Sequence, residues 1–244
     1  MEVLRFRYFI TLCCVALFCG CTASRIVIAK EVDAHNYLSK VKQELLKEWP
    51  DNKTINIVFH GHSVPSGYFK TPNVNTLAAY PHLVLEKLKE KYPYAVINTI
   101  VTGIGGENSV KGVARFKNTV LNHKPDVLFI DYALNDRRVG LEKAKKAWEY
   151  MIVKALKNDI LVILLTPSPD TRVDYNNPEN ELKQHVNQIR LLAKKYNVGL
   201  VDSYKVFEFL YADKEELNSY MAQINHPNKK GHELIANQII KYFE

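Results

Sequence analysis

The stretch "INIVFHGHSVPSGYF", residues 55–69, runs from six strand-forming residues into an abrupt turn marked by Gly61, Ser63, Pro65, Ser66 and Gly67. A β-branched and aromatic run closed by Gly, Ser and Pro reads as a strand and its exit. Ser63 then has two readings. It is a turn serine that caps the next helix, or a nucleophile held at a strand end. The two are compatible, since a helix opening at Ser63 would aim its N-terminal dipole at a developing anion.

Working outward, the same pattern recurs. Residues 94–101, 126–133, 160–166 and 198–203 form further short apolar strands. Between them lie helical patterns at about 75–91, 109–123, 139–157 and 179–196, with a closing helix near 229–243, and Asn177-Pro178 as a cap with a first-turn proline. Alternation of this kind implies an α/β fold, a five-stranded parallel sheet between two helical layers. Upstream, Tyr37, Leu38, Val41, Leu45 and Trp49 recur at near-helical spacing, so an amphipathic helix is expected to bury them against the sheet.

The first residues belong to a different problem. Arg5 and Arg7 precede an apolar run from Tyr8 to Phe18, followed by Phe18-Cys19-Gly20-Cys21. That is the layout of a secretory signal, too short for a comfortable bilayer span. The last four residues resemble a bacterial lipobox. Phe18 and Cys19 are looser than usual there, and an ordinary signal cleaved elsewhere or an uncleaved anchor is the alternative. The expected organisation is a lipoprotein signal over 1–20, a tether lipidated on Cys21 with the amphipathic helix over 21–50, and one domain over 51–244. An exported lipoprotein at the outer membrane or cell surface follows from this reading.

All four cysteines, Cys13, Cys14, Cys19 and Cys21, fall in this leader. The domain therefore has no disulfide framework, cysteine zinc site or cysteine nucleophile. Losing Glu2, Arg5 and Arg7 takes the net charge from +7 to +6. The lysines sit among acidic neighbours in helical runs, a solvated face rather than a nucleic-acid surface.

In open parallel sheets ligands gather at the carboxyl ends of the strands. Four loops there carry chemistry-bearing residues: Gly61 to Gly67, Gly103 to Ser109, Ala133 to Asp136, and Asn225 to His232. Acyl transfer needs a hydroxyl, a base and donors for an oxyanion. Ser63, His226, the Gly106 N–H and the Asn135 amide are of the right types, and the Ser63 N–H is a further candidate donor. Gly103 to Asn108 lacks the third glycine of a dinucleotide loop, and the histidines lack metal-ligand spacing, so no cofactor and no metal are expected.

In their order over residues 55–244, these blocks resemble the SGNH (GDSL-type) hydrolases. That resemblance implies a flavodoxin-like three-layer α/β/α fold and a serine esterase. It assigns Ser63 as nucleophile, Gly106 and Asn135 as oxyanion donors, and His226 as general base. "HPNKKGHELIA", residues 226–236, is the most specific block, and its His232 looks structural. Three positions depart from the family: His62 replaces an Asp, Ala133 replaces a Gly, and Gln223 stands where the triad Asp belongs. A dyad helped by a backbone carbonyl, a carboxylate from Asp213 or Glu216, and a shifted register all remain open.

For substrates, the resemblance implies O-acetylated carbohydrate, with lipid esters or thioesters as the enzyme alternative. A catalytically impaired carbohydrate-binding lipoprotein is the non-enzymatic one. Residues 164–180 are expected to wall the cleft through Asp170, Arg172 and Tyr175, and Arg137 or Arg138 could fork a substrate carboxylate.

Overall fold

Phe59 and Phe129 stack at 4.6 Å between ring centroids in the middle of the sheet, one from each of its two central strands. A computed structural model describes residues 32–177, 179–211 and 214–244. The signal and Cys21 anchor expected in 1–31 lie outside the described residues, as do Pro178 and Asp213.

The chain opens with α1 (Ala34–Tyr37) and α2 (Ser39–Leu45), then β1 (Thr54–Gly61), α3 (Tyr80–Lys91) and β2 (Val96–Val101). It continues through α4 (Ser109–Thr119), β3 (Val127–Asp131), α5 (Ala133–Asp136), α6 (Leu141–Leu156), β4 (Leu161–Leu165), α7 (Glu181–Tyr196) and β5 (Gly199–Val201). After α8 (Ser203–Leu210) and α9 (Lys214–Ser219) come a small antiparallel pair, β6 (Met221–Gln223) and β7 (His226–Pro227), and then α10 (Lys229–Ile240).

The five long strands are parallel in the order β2-β1-β3-β4-β5. This is the flavodoxin-like order, whose direction of winding reverses between β1 and β3. Period-two alternation sends Ile57, Phe59, Val127, Phe129 and Ile163 to one face, with α2, α3, α8 and α10. Val58, Leu128, Ile130, Val162 and Leu164 go to the other, with α4, α6 and much of α7. Both faces are thus covered, which is why these strands read as continuous apolar runs.

Four expectations are corrected. Trp49 is 84% exposed, because α2 ends at Leu45 and the chain turns before Trp49 can join the buried face of Leu38, Val41 and Leu45. α7 is capped by Asn180, whose side chain accepts from Lys183 N, and not by Asn177. The third strand stops at Asp131, since Ala133 already opens the single helical turn of α5. The predicted helix over 109–123 breaks at Thr119, and a 3-10 turn over Leu121–His123 completes it.

Candidate active site

Past Gly61 the chain enters a turn over residues 62–67, not a helix. The Tyr68 N–H donates to Ser63 O at 3.1 Å, the Gly67 N–H to Val64 O at 3.0 Å, and Ser66 Oγ to His62 O at 3.0 Å. Gly67 adopts φ +83°, which sends the chain away before a helix can start. The expected helix dipole behind Ser63 is therefore absent; the α-helix that follows in the chain, α3, begins at Tyr80. Ser63 itself is a turn residue, only 7% exposed.

The β6–β7 pair delivers His226, the expected base. Two residues, Ile224 and Asn225, turn the hairpin, so Gln223 and His226 are cross-strand partners. Directly opposed side chains in such a pair meet. The Gln223 amide contacts His226 Nδ1, and His226 Nε2 lies 2.7 Å from Ser63 Oγ. The Tyr68 ring stacks beside the imidazole at 6.4 Å. Burial, with a smaller contribution from His62, lowers the His226 pKa to about 4. The imidazole is neutral at neutral pH, as a general base must be.

This geometry removes the shifted-register alternative, because Gln223 occupies the third position itself. Gln223 Oε1 in turn accepts from the Thr71 backbone N–H at 3.2 Å and from Thr71 Oγ1 at 3.4 Å. His62, fully buried, fills the place of the family's Asp. Its Nδ1 accepts from Val64 N–H at 3.3 Å and lies 3.4 Å from Ser63 Oγ, while its Nε2 faces Asp131 Oδ1 at 3.4 Å. Tyr80 OH donates to the other Asp131 oxygen at 3.1 Å.

The loop after β2 packs on the Ser63 turn. The Ile104 N–H donates to Gly61 O at 3.2 Å, and a Cβ on Gly103 would fall 2.3 Å from Ser66 Oγ and 2.6 Å from His62 O. Gly106 is exposed with φ +73°, a left-handed conformation open mainly to glycine. The next residue, Glu107, anchors this loop from below. Its carboxylate receives Arg115 Nε at 3.0 Å and Tyr132 OH at 3.0 Å, and Tyr132 OH in turn lies 3.2 Å from His60 Nε2. Asn135, on α5, donates Nδ2–H to Glu107 O at 3.0 Å. An amide has two such hydrogens, so this bond uses one of them.

Ser63 and His226 are thus in contact, and Gly106 and Asn135 share a loop anchor beside them. Over residues 59–234 the chain matches the family described as "GDSL-like Lipase/Acylhydrolase family". The chain belongs to the GDSL-like Lipase/Acylhydrolase family.

No curated protein matches this GDSL-like family member. Among solved structures it is similar to a two-domain esterase, CEX, described as active on acetylated mannans. The TM-score is 0.70 at 25% identity, over 88% of this chain and 54% of that one, so the chain spans about half of that esterase. An acetyl xylan esterase, AlAXEase, matches with a TM-score of 0.63 at 25% identity, over 76% of this chain and 98% of the other. Axe2, an acetylxylan esterase from Geobacillus stearothermophilus, shares the fold with a TM-score of 0.68 at 19% identity, over 78% of this chain and 94% of that one.

The remaining expected contacts of this GDSL-like chain are corrected. Asp170 is fully buried and Tyr175 nearly so, which takes both out of any cleft wall. Asp170 Oδ2 is held by Arg137 at 2.6 Å and Arg172 at 2.7 Å. Burial opposes ionisation of Asp170, but these bonds outweigh it and bring its pKa to about 2. Arg137 is therefore committed to Asp170, as is Arg172 although its side chain stays 61% exposed, and of the proposed carboxylate forks only Arg138 is exposed without a described ion pair. The clamp has a purpose nearby: the adjacent Thr171 N–H donates to Ile224 O at 2.9 Å, tying this loop to the hairpin that carries His226. His232 is buried, accepts from Tyr80 N–H at 3.2 Å and stacks on Phe69.

Glu107, Arg115 and Tyr132 are missed by sequence reading. Glu107-Asn108 reads as a polar loop end before a capped helix, and nothing local announces partners on α4 and after β3.

Proposed function

We propose that the protein is a serine esterase that removes O-acetyl groups from carbohydrate, acting as an exported lipoprotein anchored through Cys21. The observation that carries this reading is the 2.7 Å contact between Ser63 Oγ and His226 Nε2 at the carboxyl end of a parallel sheet. Ser63 attacks the ester carbonyl as His226 takes its proton. The carbonyl oxygen, now negative, is met by the Gly106 N–H and the Asn135 amide. His226 returns the proton to the departing alkoxide oxygen, and water hydrolyses the acyl-enzyme by the same steps. Tyr68, beside the imidazole, and residues 104–106 are exposed, a rim that a polymer can reach. The acetylated mannan and xylan substrates named for two relatives at 25% identity favour carbohydrate esters over lipid esters or thioesters.

Gln223 favours a second reading, a carbohydrate-binding protein whose chemistry has lapsed for want of a triad carboxylate. The test is acetate release from acetylated mannan and xylan, run beside Ser63→Ala. Release by the parent and a loss of at least about a hundredfold in the variant, the scale of removing a nucleophile, supports the esterase. No release, together with no labelling by a fluorophosphonate probe, favours the binding protein.

A further inference from the structure

Two backbone N–H groups, neither of which can turn into an acceptor, face the hydrogen-bonding chain around Ser63. The first is Val64 N–H on His62 Nδ1. It makes His62 Nδ1 an acceptor, so that any ring hydrogen sits on Nε2 on the side of Asp131, and leaves Nδ1 to accept from Ser63 as well. The second is Thr71 N–H on the Gln223 side chain. Only the amide oxygen can receive it, and the Thr71 hydroxyl reinforces that choice. The Gln223 NH2 group is therefore the end that meets His226 Nδ1.

A donor at Nδ1 requires a lone pair there, so the single ring hydrogen of neutral His226 sits on Nε2. Every bond then points one way: Gln223 to His226, His226 to Ser63 Oγ, and Ser63 to His62. This polarity is the reverse of what proton abstraction needs, since the base must offer Nε2 as an acceptor.

We infer that Gln223 is a positioning residue that holds His226 in its inactive tautomer in the resting protein, locked by the Thr71 backbone. The inference rests on the esterase reading for its functional meaning, but the tautomer itself does not depend on turnover. Release requires the amide to turn over, giving up both Thr71 bonds, so that Oε1 accepts from His226 Nδ1–H. The ring hydrogen moves by loss from Nε2 to water and uptake at Nδ1, with no net change in protonation. A carboxylate at position 223 needs no such turn, because its oxygens accept from Thr71 N–H and from His226 Nδ1–H together. The departure from the family's Asp thus costs rate through proton placement, and restoring a carboxylate should recover it.

The test uses the full chain labelled with 15N-histidine, with His226 assigned by loss of its signals in His226→Gln. Long-range 1H–15N correlation at pH 7 is expected to show Nε2–H in the parent and Nδ1–H in Gln223→Glu. The kcat of Gln223→Glu for 4-nitrophenyl acetate should exceed the parent's by at least about tenfold, a step of one decade in rate. Gln223→Asp serves as the second carboxylate variant should the longer one fold poorly, and the parent spectrum needs no variant at all. A parent already in the Nδ1–H form, or a folded carboxylate variant still in the Nε2–H form, overturns the inference. A tautomer change with no turnover in parent or variant upholds the placement of the proton and sinks the esterase reading instead.

Discussion

Asn135 Nδ2 donates to Glu107 O at 3.0 Å, so the two elements expected to bind the oxyanion are bonded to each other. The single turn of α5 carries one donor and the loop before α4 carries the other, and the neighbouring Asp136 ties the two elements again by accepting from Ser109 N–H at 2.8 Å. Their mutual bond, backed by Glu107 on Arg115 and Tyr132, sets the spacing between them. Preorganised donors are worth most when they need not move during reaction. Asn135→Ala removes one donor and one anchor. It is expected to lower kcat for 4-nitrophenyl acetate by 10²- to 10³-fold, about 3 to 4 kcal/mol, with the fold kept by circular dichroism.

Gly106 offers a complementary case. A Cβ there meets nothing within 4 Å, so Gly106→Ala adds no clash. The penalty comes from φ +73° alone and is about 1 kcal/mol. Thermal unfolding should therefore barely shift, whereas kcat should fall at least tenfold as the loop relaxes and re-aims its N–H. A variant of parental kcat would remove the Gly106 N–H from the oxyanion site. Gly103→Ala behaves oppositely. Its Cβ would strike the His62 carbonyl at 2.6 Å, so stability and activity should fall together.

These contrasts mark what was legible in the sequence. The parallel strands are readable because burial makes most of them apolar runs, and the loops of Ser63, Gly106 and Asn135 follow their ends, whereas His226 is singled out by the resemblance of residues 226–236. The β6–β7 hairpin is not readable. Its strands have three and two residues, too few for any period, and they pair only at Gln223 with His226 and Met221 with Pro227. Trp49 is misread because spacing alone cannot tell where α2 stops. Ser63 is misread as a helix start because the positive φ of Gly67 is a property of the turn, invisible in composition. Asp170 looks like a polar loop residue, and only the distant Arg137 shows it to be a buried clamp.

That clamp predicts a selective defect. Asp170→Ala leaves Arg137, only 21% exposed in its side chain, without its carboxylate, and breaking such a pair costs about 3 kcal/mol. The Asp170 loop also holds Ile224 through Thr171 N–H, so the hairpin should loosen. The expected outcome is a lower unfolding midpoint in urea and a reduced kcat, with KM little changed. A variant that loses stability but keeps kcat would separate the clamp from the placement of His226.

Buried histidines govern acid stability. His60 and His232 are fully buried, and burial, first among the causes, lowers each pKa to about 3. The unfolded chain binds protons at about 6.5, above both folded values, so stability is complete above that pH and declines as pH falls below it. Between pH 7 and 5.5 these two should remove about 2 to 3 kcal/mol, and His185 and His226, each lowered to about 4 chiefly by burial, add to that loss. Urea unfolding at the two pH values measures this directly. A free energy unchanged between them would mean that these histidines are as readily protonated folded as unfolded.

Activity should respond at a lower pH than stability does. His226 is lowered to about 4 by burial first and by His62 second. The groups facing it are Ser63, Gln223 from the opposed strand, the Tyr68 ring, His62 across Ser63, and His232, whose own pKa His226 helps to lower. None of these is a carboxylate that would draw a proton onto the imidazole. The neutral form is the base, so kcat/KM is present above the folded pKa and lost as pH falls through it. Initial rates after brief pH jumps, taken before acid unfolding sets in, should stay level from pH 8 to about 5 and halve near pH 4. An inflection at the ordinary histidine value of about 6.5 would show that His226 works in a more hydrated setting than its contacts with Ser63 and Tyr68 provide.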